Sequence, residues 1–410
     1  MKQYRTYTIR LFPNRGQELA LRGLSIARNT LYNALIDIEE NTYNNTNKIK
    51  SEFDLDKDIT ILRKENSVIS QLNSKASQRV AKEIYSSYKS FFNKIKKDKT
   101  ARPPRKIDNV YNFHTIVYNQ TGWKFLNENT IRVNGIEIPY KSIPGIDCKS
   151  LVVKEVKVKH RNGKYLLDFG VEQNVLEPTT LTVQNRVLAV DLGIKNIVNG
   201  VDNDGHWVTL PNKTKNINRY FRKQISKVQS KMDKCTKGSN RHNKLRKTKK
   251  KAYARKNAQI KQTLHIQSKK LANMNYKTIV VGDLNVKKLM RIGSNKLTKV
   301  SRSFGETAIA TFMDYLTYKC QNKTTEVITI SERWTTQQNC LTGKLFKEKI
   351  GLSDRTVKLN ESIEIDRDLN AAINILKRYE QNHLALLTVP LDISNVVNKY
   401  NLLTNTQSSQ

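Results

Sequence analysis

Five acidic residues stand where chemistry on a phosphodiester would need them. Asp191 sits at the end of the apolar run in RVLAVDLGIKNIVNGVD, residues 186–202, and Gly193 lets the chain turn just after it. Asp283 ends a second apolar run, TIVVGDLN, residues 278–285, and Glu332 ends a third, TEVITISE, residues 325–332. Asp366 and Asp368 open the segment IDRDLNAAINILKR, residues 365–378. Carboxylate oxygens suit hard Mg²⁺, with Mn²⁺ as a second option, and such a cation activates water and stabilises a leaving oxygen. Singly, each acid reads equally well as a turn or cap residue. The ordered set, in a chain this basic, points to a two-metal phosphodiesterase.

Those acids need a sheet to hold them. A buried strand that ends in a carboxylate and returns through a hairpin is how an RNase H-like α/β fold begins, and apolar alternation resumes through Ile194, Ile197 and Val198. The segment 365–378 reads as an amphipathic helix, with Ala371, Ala372 and Ile375 packed against the sheet.

Charge names the class of partner. Lys and Arg number 73 against 36 Asp and Glu, a formal net charge of +37. Such an excess is the footprint of a polyanion, because each neutralised phosphate releases condensed counterions. Residues 211–270 hold 21 of the Lys and Arg and a single acid, Asp233. Ile225, Val228 and Met232 share one helical stripe and Ile260, Leu264 and Leu271 another, with a turn-like stretch from Cys235 to Asn243. Two antiparallel helices are expected, with a basic outer face carrying Arg222, Lys223, Lys247, Lys249, Lys250, Lys251 and Arg255 toward nucleic acid rather than toward solvent alone. A ribosomal or chromatin protein would be as basic but seldom pairs that charge with catalytic acids. A membrane partner is disfavoured, since no long apolar run or amphipathic anchor occurs. The opening MKQYRTYTIRLF lacks the apolar core of a signal peptide, so a cytoplasmic setting is expected.

The N-terminal part alternates between periods. Tyr7, Ile9 and Leu11 predict a strand ended by Pro13. Asn14 and Gln17 form a capping box ahead of a helix bearing Leu21, Leu24, Leu31, Leu35 and Ile38. An Asn/Lys-rich stretch, 41–52, is expected as a loop, and a second helix carries Ile84, Tyr88, Phe91 and Ile95. Two prolines in Ala101-Arg-Pro-Pro-Arg-Lys106 then leave an extended basic segment, either a linker or a phosphate-contacting loop through Arg102, Arg105 and Lys106. From 110 to 175 the period is two, with hairpins at Asn134-Gly135 and Asn162-Gly163. They suggest a small antiparallel barrel that the first strand completes.

The chain resembles a known family at this point. TIRLFPNRGQELALRGLSIARNTLYNALID, VDLGIKN, VVGDLNVKKL and DRDLNAAINI are similar, in order, to the opening and the three nuclease motifs of TnpB proteins, the transposon-encoded RNA-guided DNA nucleases from which type V CRISPR effectors descend. The resemblance spans residues 3–378. It implies an α+β multidomain chain: a wedge-like β-barrel from 1–12 and 106–185, a helical recognition insertion at 13–105, and a RuvC-like nuclease from 186–340 and 362–378 with the basic helical hairpin inserted. Residues 341–361 fall on a degenerate zinc-knuckle or target-loading insertion, and 379–410 on a partly disordered tail. The implied partners are a guide RNA and target double-stranded DNA next to a short adjacent motif, bound by a monomer or by a dimer on one guide.

Matching motif to motif places the first metal ligand on Asp191 and the third on Asp368, with Asp366 as a neighbour. The family's second strand usually ends Ile-Glu-Asp-Leu, whereas Gly282 occupies the Glu position here. Part of the family carries a Glu just before a Tyr-Thr-Ser segment on the neighbouring strand, and Ser331-Glu332-Arg333-Trp334-Thr335-Thr336 corresponds to it. Glu332 is therefore the expected second ligand, with Asp283 as competitor. The family's two Cys pairs are reduced to Cys340 in Cys340-Leu-Thr-Gly343, which cannot build a tetrahedral thiolate site, so no structural zinc is expected. Cys148, Cys235 and Cys320 are scattered and suggest no disulfide framework. A guided DNA-binding repressor that does not cut, and a structural RNA-binding protein, are the rival readings.

Overall fold

The structure, a computed structural model, describes residues 2–174, 186–284, 307–323, 325–351, 354–382 and 396. The expectations for the tail beyond 382, Val396 apart, and for the Val286-Lys-Lys-Leu part of the second motif lie outside the described residues. The chain divides into two compact units, Met1–Leu176 and Glu177–Gln410.

In the first unit, β1 (Lys2–Leu11) is separated from its partner strand by four helices. These are α1 (Arg15–Thr46), α2 (Glu52–Glu65), α3 (Ser67–Ser70) and α4 (Ser74–Ile95). The Asn14–Gln17 capping box forms, each side chain bonded to the other's backbone N–H. Helix α1 continues through residues 41–46, where a loop was expected. The Thr42 and Thr46 hydroxyls donate to carbonyls one turn back, and the stop is set by Asn47 in the left-handed conformation.

The β-strands then follow: β2 (Ile116–Tyr118), β3 (Trp123–Phe125), β4 (Thr130–Val133), β5 (Ile136–Pro139), β6 (Val153–Arg161) and β7 (Lys164–Asn174). Both Asn-Gly turns have positive φ at their two central residues, as tight hairpins need. β1 pairs antiparallel with β7 in a sheet ordered β1-β7-β6-β2, and β3-β4-β5 form a second sheet. A bridge from Leu11 to Tyr140 joins the two at one corner, and Ile131, Val133 and Ile138 share a core with Leu167, Phe169 and Val171.

The second unit is built on a five-stranded sheet of β8 (Val187–Asp191), β9 (Asn196–Asp202), β10 (Trp207–Pro211), β11 (Thr278–Gly282) and β12 (Glu326–Ile330). Its order is β10-β9-β8-β11-β12. The first three strands are antiparallel neighbours and β8, β11 and β12 run parallel, which is the RNase H-like arrangement. β8 and β11 are buried on both faces, hence their unbroken apolar sequences. Helices α5 (Thr214–Asp233) and α6 (Asn240–Ala272) form the basic hairpin, turned at residues 234–239 and capped by Ser239. Helix α7 (Ile309–Gln321) precedes β12. A short ladder of β13 (Thr356–Lys358) and β14 (Glu364–Asp366) leads into α8 (Arg367–Asn382). That helix buries Leu369, Ala372 and Ile375 in one cluster with Val187, Val280 and Cys340.

Candidate active site

Parallel register brings three strand ends to one edge of the sheet. Val190 on β8 lies opposite Val281 on β11, so Asp191 and Gly282 are at the same level, and Gly282 in turn faces Ile330 on β12. Open α/β sheets bind their ligands at such carboxyl ends. β12 stops two residues before Glu332, leaving that side chain free to fold back over its neighbour. A Cβ placed on Gly282 would sit 2.9 Å from the Glu332 Oε2, 3.1 Å from its Cβ and 3.3 Å from Ile375 Cδ1. The Glu332 carboxylate thus stands in the space where a side chain at 282 would begin.

Asp368 arrives from the first turn of α8. Asp366 accepts the Asp368 backbone N–H at 2.7 Å and so caps that helix. Asn199, directly across from Asp191 in the β8–β9 pair, donates its amide to Asp368 Oδ2 at 3.1 Å, and Asn196 steadies Asn199 with a 2.8 Å bond. Arg367 approaches the other Asp368 oxygen at 3.4 Å. Asp191, Glu332 and Asp368 line one cavity of about 610 Å³, together with the cations Lys195, Lys215, Arg355 and Arg367. Asp283 is exposed, begins after β11 ends, and is absent from that lining.

The electrostatics are those of crowded negative charge. Burial first, then Asp368 and Glu332, raise the Asp191 acid to about 8, with Arg367 opposing. Burial, then the Asp283 charge, raises Glu332 to about 7. Asp366 is raised by burial and by Asp368. Three oxygen-donor groups held in a cleft at this cost are suited to a divalent cation, whose charge removes the repulsion.

A second acidic group, Asp202, Asp204 and His206, brings its ligand atoms within 4.8 Å of one another. Arg186 already neutralises it, donating to Asp202 and reaching Asp204 at 2.9 Å, while Tyr276 donates to Asp202 at 3.1 Å. It is an ion-pair cluster in which Asp202 is buried and Asp204 and His206 are exposed.

The segment after Glu332 is held by α8. Asn370 donates to the Gln338 carbonyl at 2.8 Å and accepts from the Cys340 N–H at 3.0 Å. Asn374 donates to the Thr335 and Gln338 carbonyls at 2.8 and 2.6 Å, Lys377 to that of Cys340 at 2.7 Å, and Arg378 to those of Ser331 and Arg333. Sequence reasoning did not single out Asn199, Asn370, Asn374 or Arg378. The i, i+4 spacing of the two Asn on the buried face of an apolar helix was the available signal. Cys340 itself is fully buried in the apolar cluster, its thiol pushed up to about 12 by burial.

Among the predicted nucleic-acid contacts, Arg222, Lys223, Lys247, Lys250, Lys251 and Arg255 are exposed on the hairpin. Lys249 is partly buried and bonds Gln229 across the hairpin. In the first unit, Lys106 pairs with Asp37, and Arg105 is exposed. Arg102 lines a cavity of about 740 Å³ with Arg79, Lys82, Lys94 and Lys157.

Two family models match the chain, and both fall on the segments bearing the acids. One, OrfB_IS605, described as "Probable transposase", covers residues 167–293; the other, the Cas12f1-like TNB domain, covers 310–375. These findings are consistent with the TnpB family. A Streptomyces pristinaespiralis protein described as "Putative RNA-guided DNA endonuclease" is 26% identical over 218 residues, 53% of this chain and 50% of that protein. The chain therefore matches about half the length of this relative. The protein in a Cas12f1–sgRNA–target DNA complex is similar in fold, with a TM-score of 0.56 at 12% identity, over 88% of this chain and 82% of that one.

Proposed function

We propose that the chain is an RNA-guided, divalent-metal-dependent DNA endonuclease, with Asp191, Glu332 and Asp368 as the ligands of two Mg²⁺ ions or, alternatively, Mn²⁺. The observation that carries this is the seating of Glu332 over Gly282, which puts a third carboxylate into the cavity that Asp191 and Asp368 already line. All-oxygen donors without thiolate or imidazole favour a hard cation. Bound there, the ions would lower the pKa of an attacking water and stabilise the departing oxygen. The chain's own residues do the rest. Asn199 fixes the Asp368 carboxylate, Asp366 fixes the helix start beneath it, and α8 fixes the segment carrying Glu332. Lys195, Lys215 and Arg355 at the cavity supply positive charge to a phosphate backbone entering it.

The guide RNA and target DNA enter this reading from two sides. The basic hairpin and the cationic cavity around Arg102 suit phosphate. The curated relative is described as RNA-guided, and the solved protein of similar fold holds an sgRNA and target DNA. No helix among the described residues is long and apolar enough to cross a membrane.

The direct test is to purify the protein with its native locus, sequence the RNA that accompanies it, and supply that RNA with matched double-stranded DNA and Mg²⁺. Guide-dependent cutting supports the proposal. Guided binding without cutting in Mg²⁺ or Mn²⁺ makes the chain a repressor, and guide-independent RNA binding alone makes it a structural RNA-binding protein.

A further inference from the structure

Six non-glycine residues among those described have positive φ, and four of them are Asn, which tolerates that region. Trp334 is the bulky exception, at φ 69°. A large side chain in the left-handed conformation persists only where its surroundings impose it. They do so here from both sides. Arg378 donates to the Ser331 carbonyl and, at 3.1 Å, to that of Arg333. The Thr335 N–H and hydroxyl both donate to the Glu332 carbonyl, at 3.1 and 2.9 Å, and Asn374 holds the Thr335 carbonyl. Thr335 is buried, yet the adjoining Trp334 is 52% exposed, with the Arg333 guanidinium 5.7 Å from its ring centroid. Exposing a Trp on a strained backbone forgoes the burial that would ordinarily stabilise it. The position is the rim of the acidic cavity: Glu332 on one side, Thr335 and Thr336 on the other, all line it.

We propose that Trp334, backed by Arg333, is a stacking platform for an unpaired base of the DNA strand entering the cavity, and that it thereby registers the scissile phosphate over the acids. The proposal rests on the nuclease reading above. An indole face accepts any base, which suits an enzyme whose sequence choice lies in guide pairing, and only an unstacked single strand offers a free base face. The cations Arg333, Arg355 and Lys195 complement the phosphates flanking such a base.

The test uses the guided complex in Ca²⁺, with 5-iodouracil placed in turn at single positions of the DNA strand flanking the cut. Ultraviolet irradiation should cross-link Trp334, identified by peptide mass, and Trp334→Ala should abolish that product. In Mg²⁺, Trp334→Ala should slow cutting roughly ten- to a hundredfold with target binding unchanged, and Trp334→Phe should restore most of the rate. An abasic nucleotide at the cross-linking position should slow the unmodified protein similarly and add nothing to Trp334→Ala. Trp334→Gly should melt no lower than the unmodified protein, since it relieves the backbone while losing the platform. Cross-links confined to other residues, or a lower melting temperature for Trp334→Gly with normal cutting, would overturn the proposal by showing a packing role. The cross-link needs no cleavage, so a chain that binds target without cutting contradicts the nuclease reading while still reporting on Trp334.

Discussion

Glu332 and Gly282 share one side-chain space. The Glu332 Oε2 lies 2.9 Å from where a Cβ on Gly282 would stand, so the absence of a side chain on β11 is what admits the acid from beyond β12. In the proposed metal centre, an acid that follows β12 thus stands over a position of β11 that offers no ligand. Gly282→Ala should push Glu332 aside, because its added methyl also meets Ile375, and cutting should fall roughly 10- to 100-fold, the scale of a misplaced catalytic group. Gly282→Glu introduced into Glu332→Ala should recover measurable cutting. A normal Gly282→Ala enzyme, and a relocated acid as inactive as Glu332→Ala alone, would show the shared space to be incidental.

The crowding of acids sets a pH dependence. Asp191 titrates at about 8 in the folded chain against about 3.9 in an unfolded one. Between those values the folded state keeps a proton the unfolded state has lost, so this residue's contribution to stability falls as pH rises from about 4 to about 8 and then levels. Metal-free Asp191→Asn should therefore match the parent near pH 4 and melt higher than it near pH 8.5. Mg²⁺ should raise the parent's melting temperature more at the higher pH, since binding must release the proton. A difference between the two proteins that does not vary with pH would contradict this.

Much of this site is visible in the chain itself, and the division is physical. β8 and β11 are legible because burial on both faces demands unbroken apolar runs, and a charged residue at the end of such a run must be at an edge. Helix α8 is legible by its period, although Asp366 turns out to cap it. What escapes is whatever depends on pairing across strands. Asn199 acts on Asp368 because it faces Asp191, and Asn374 acts on Thr335 because α8 crosses there. Neither contact leaves a trace in local sequence. Residues 41–46 misled by composition, since Asn and Thr favour turns, whereas here the Thr42 and Thr46 hydroxyls bond back within a helix already nucleated.

The hairpin α5–α6 should bind phosphate through its exposed cations. Replacing Lys247, Lys250, Lys251 and Arg255 by Gln should flatten the log–log salt dependence of RNA binding by roughly 0.7–0.9 per lost phosphate contact. Lys249→Gln should change the slope less, because Lys249 is engaged with Gln229. Equal slopes for the quadruple variant and the parent would make this face merely solvated.

Cys340 should behave as an apolar core residue. Its surroundings are Leu359, Ile365 and Leu369, and its backbone is held by Asn370 and Lys377. A zinc-selective chelator in excess Mg²⁺ should leave the melting temperature unchanged, metal analysis should find no stoichiometric zinc, and Cys340→Ala should fold at a cost of about 1 kcal/mol. Zinc retained at one ion per chain would refute this.

The central claim is that Glu332 completes the metal centre, and guided cleavage by Glu332→Gln tests it most directly. The substitution keeps size and hydrogen bonding while removing the charge that holds a cation. With native guide RNA, matched target and Mg²⁺, it should cut at least ~100-fold more slowly, the scale of losing a key electrostatic group. Its target binding should be unchanged, because binding rests on base pairing and backbone contacts. Asp283→Asn, an exposed residue outside the cavity, should cut within a few-fold of the parent. Normal cutting by Glu332→Gln together with loss in Asp283→Asn would contradict the assignment.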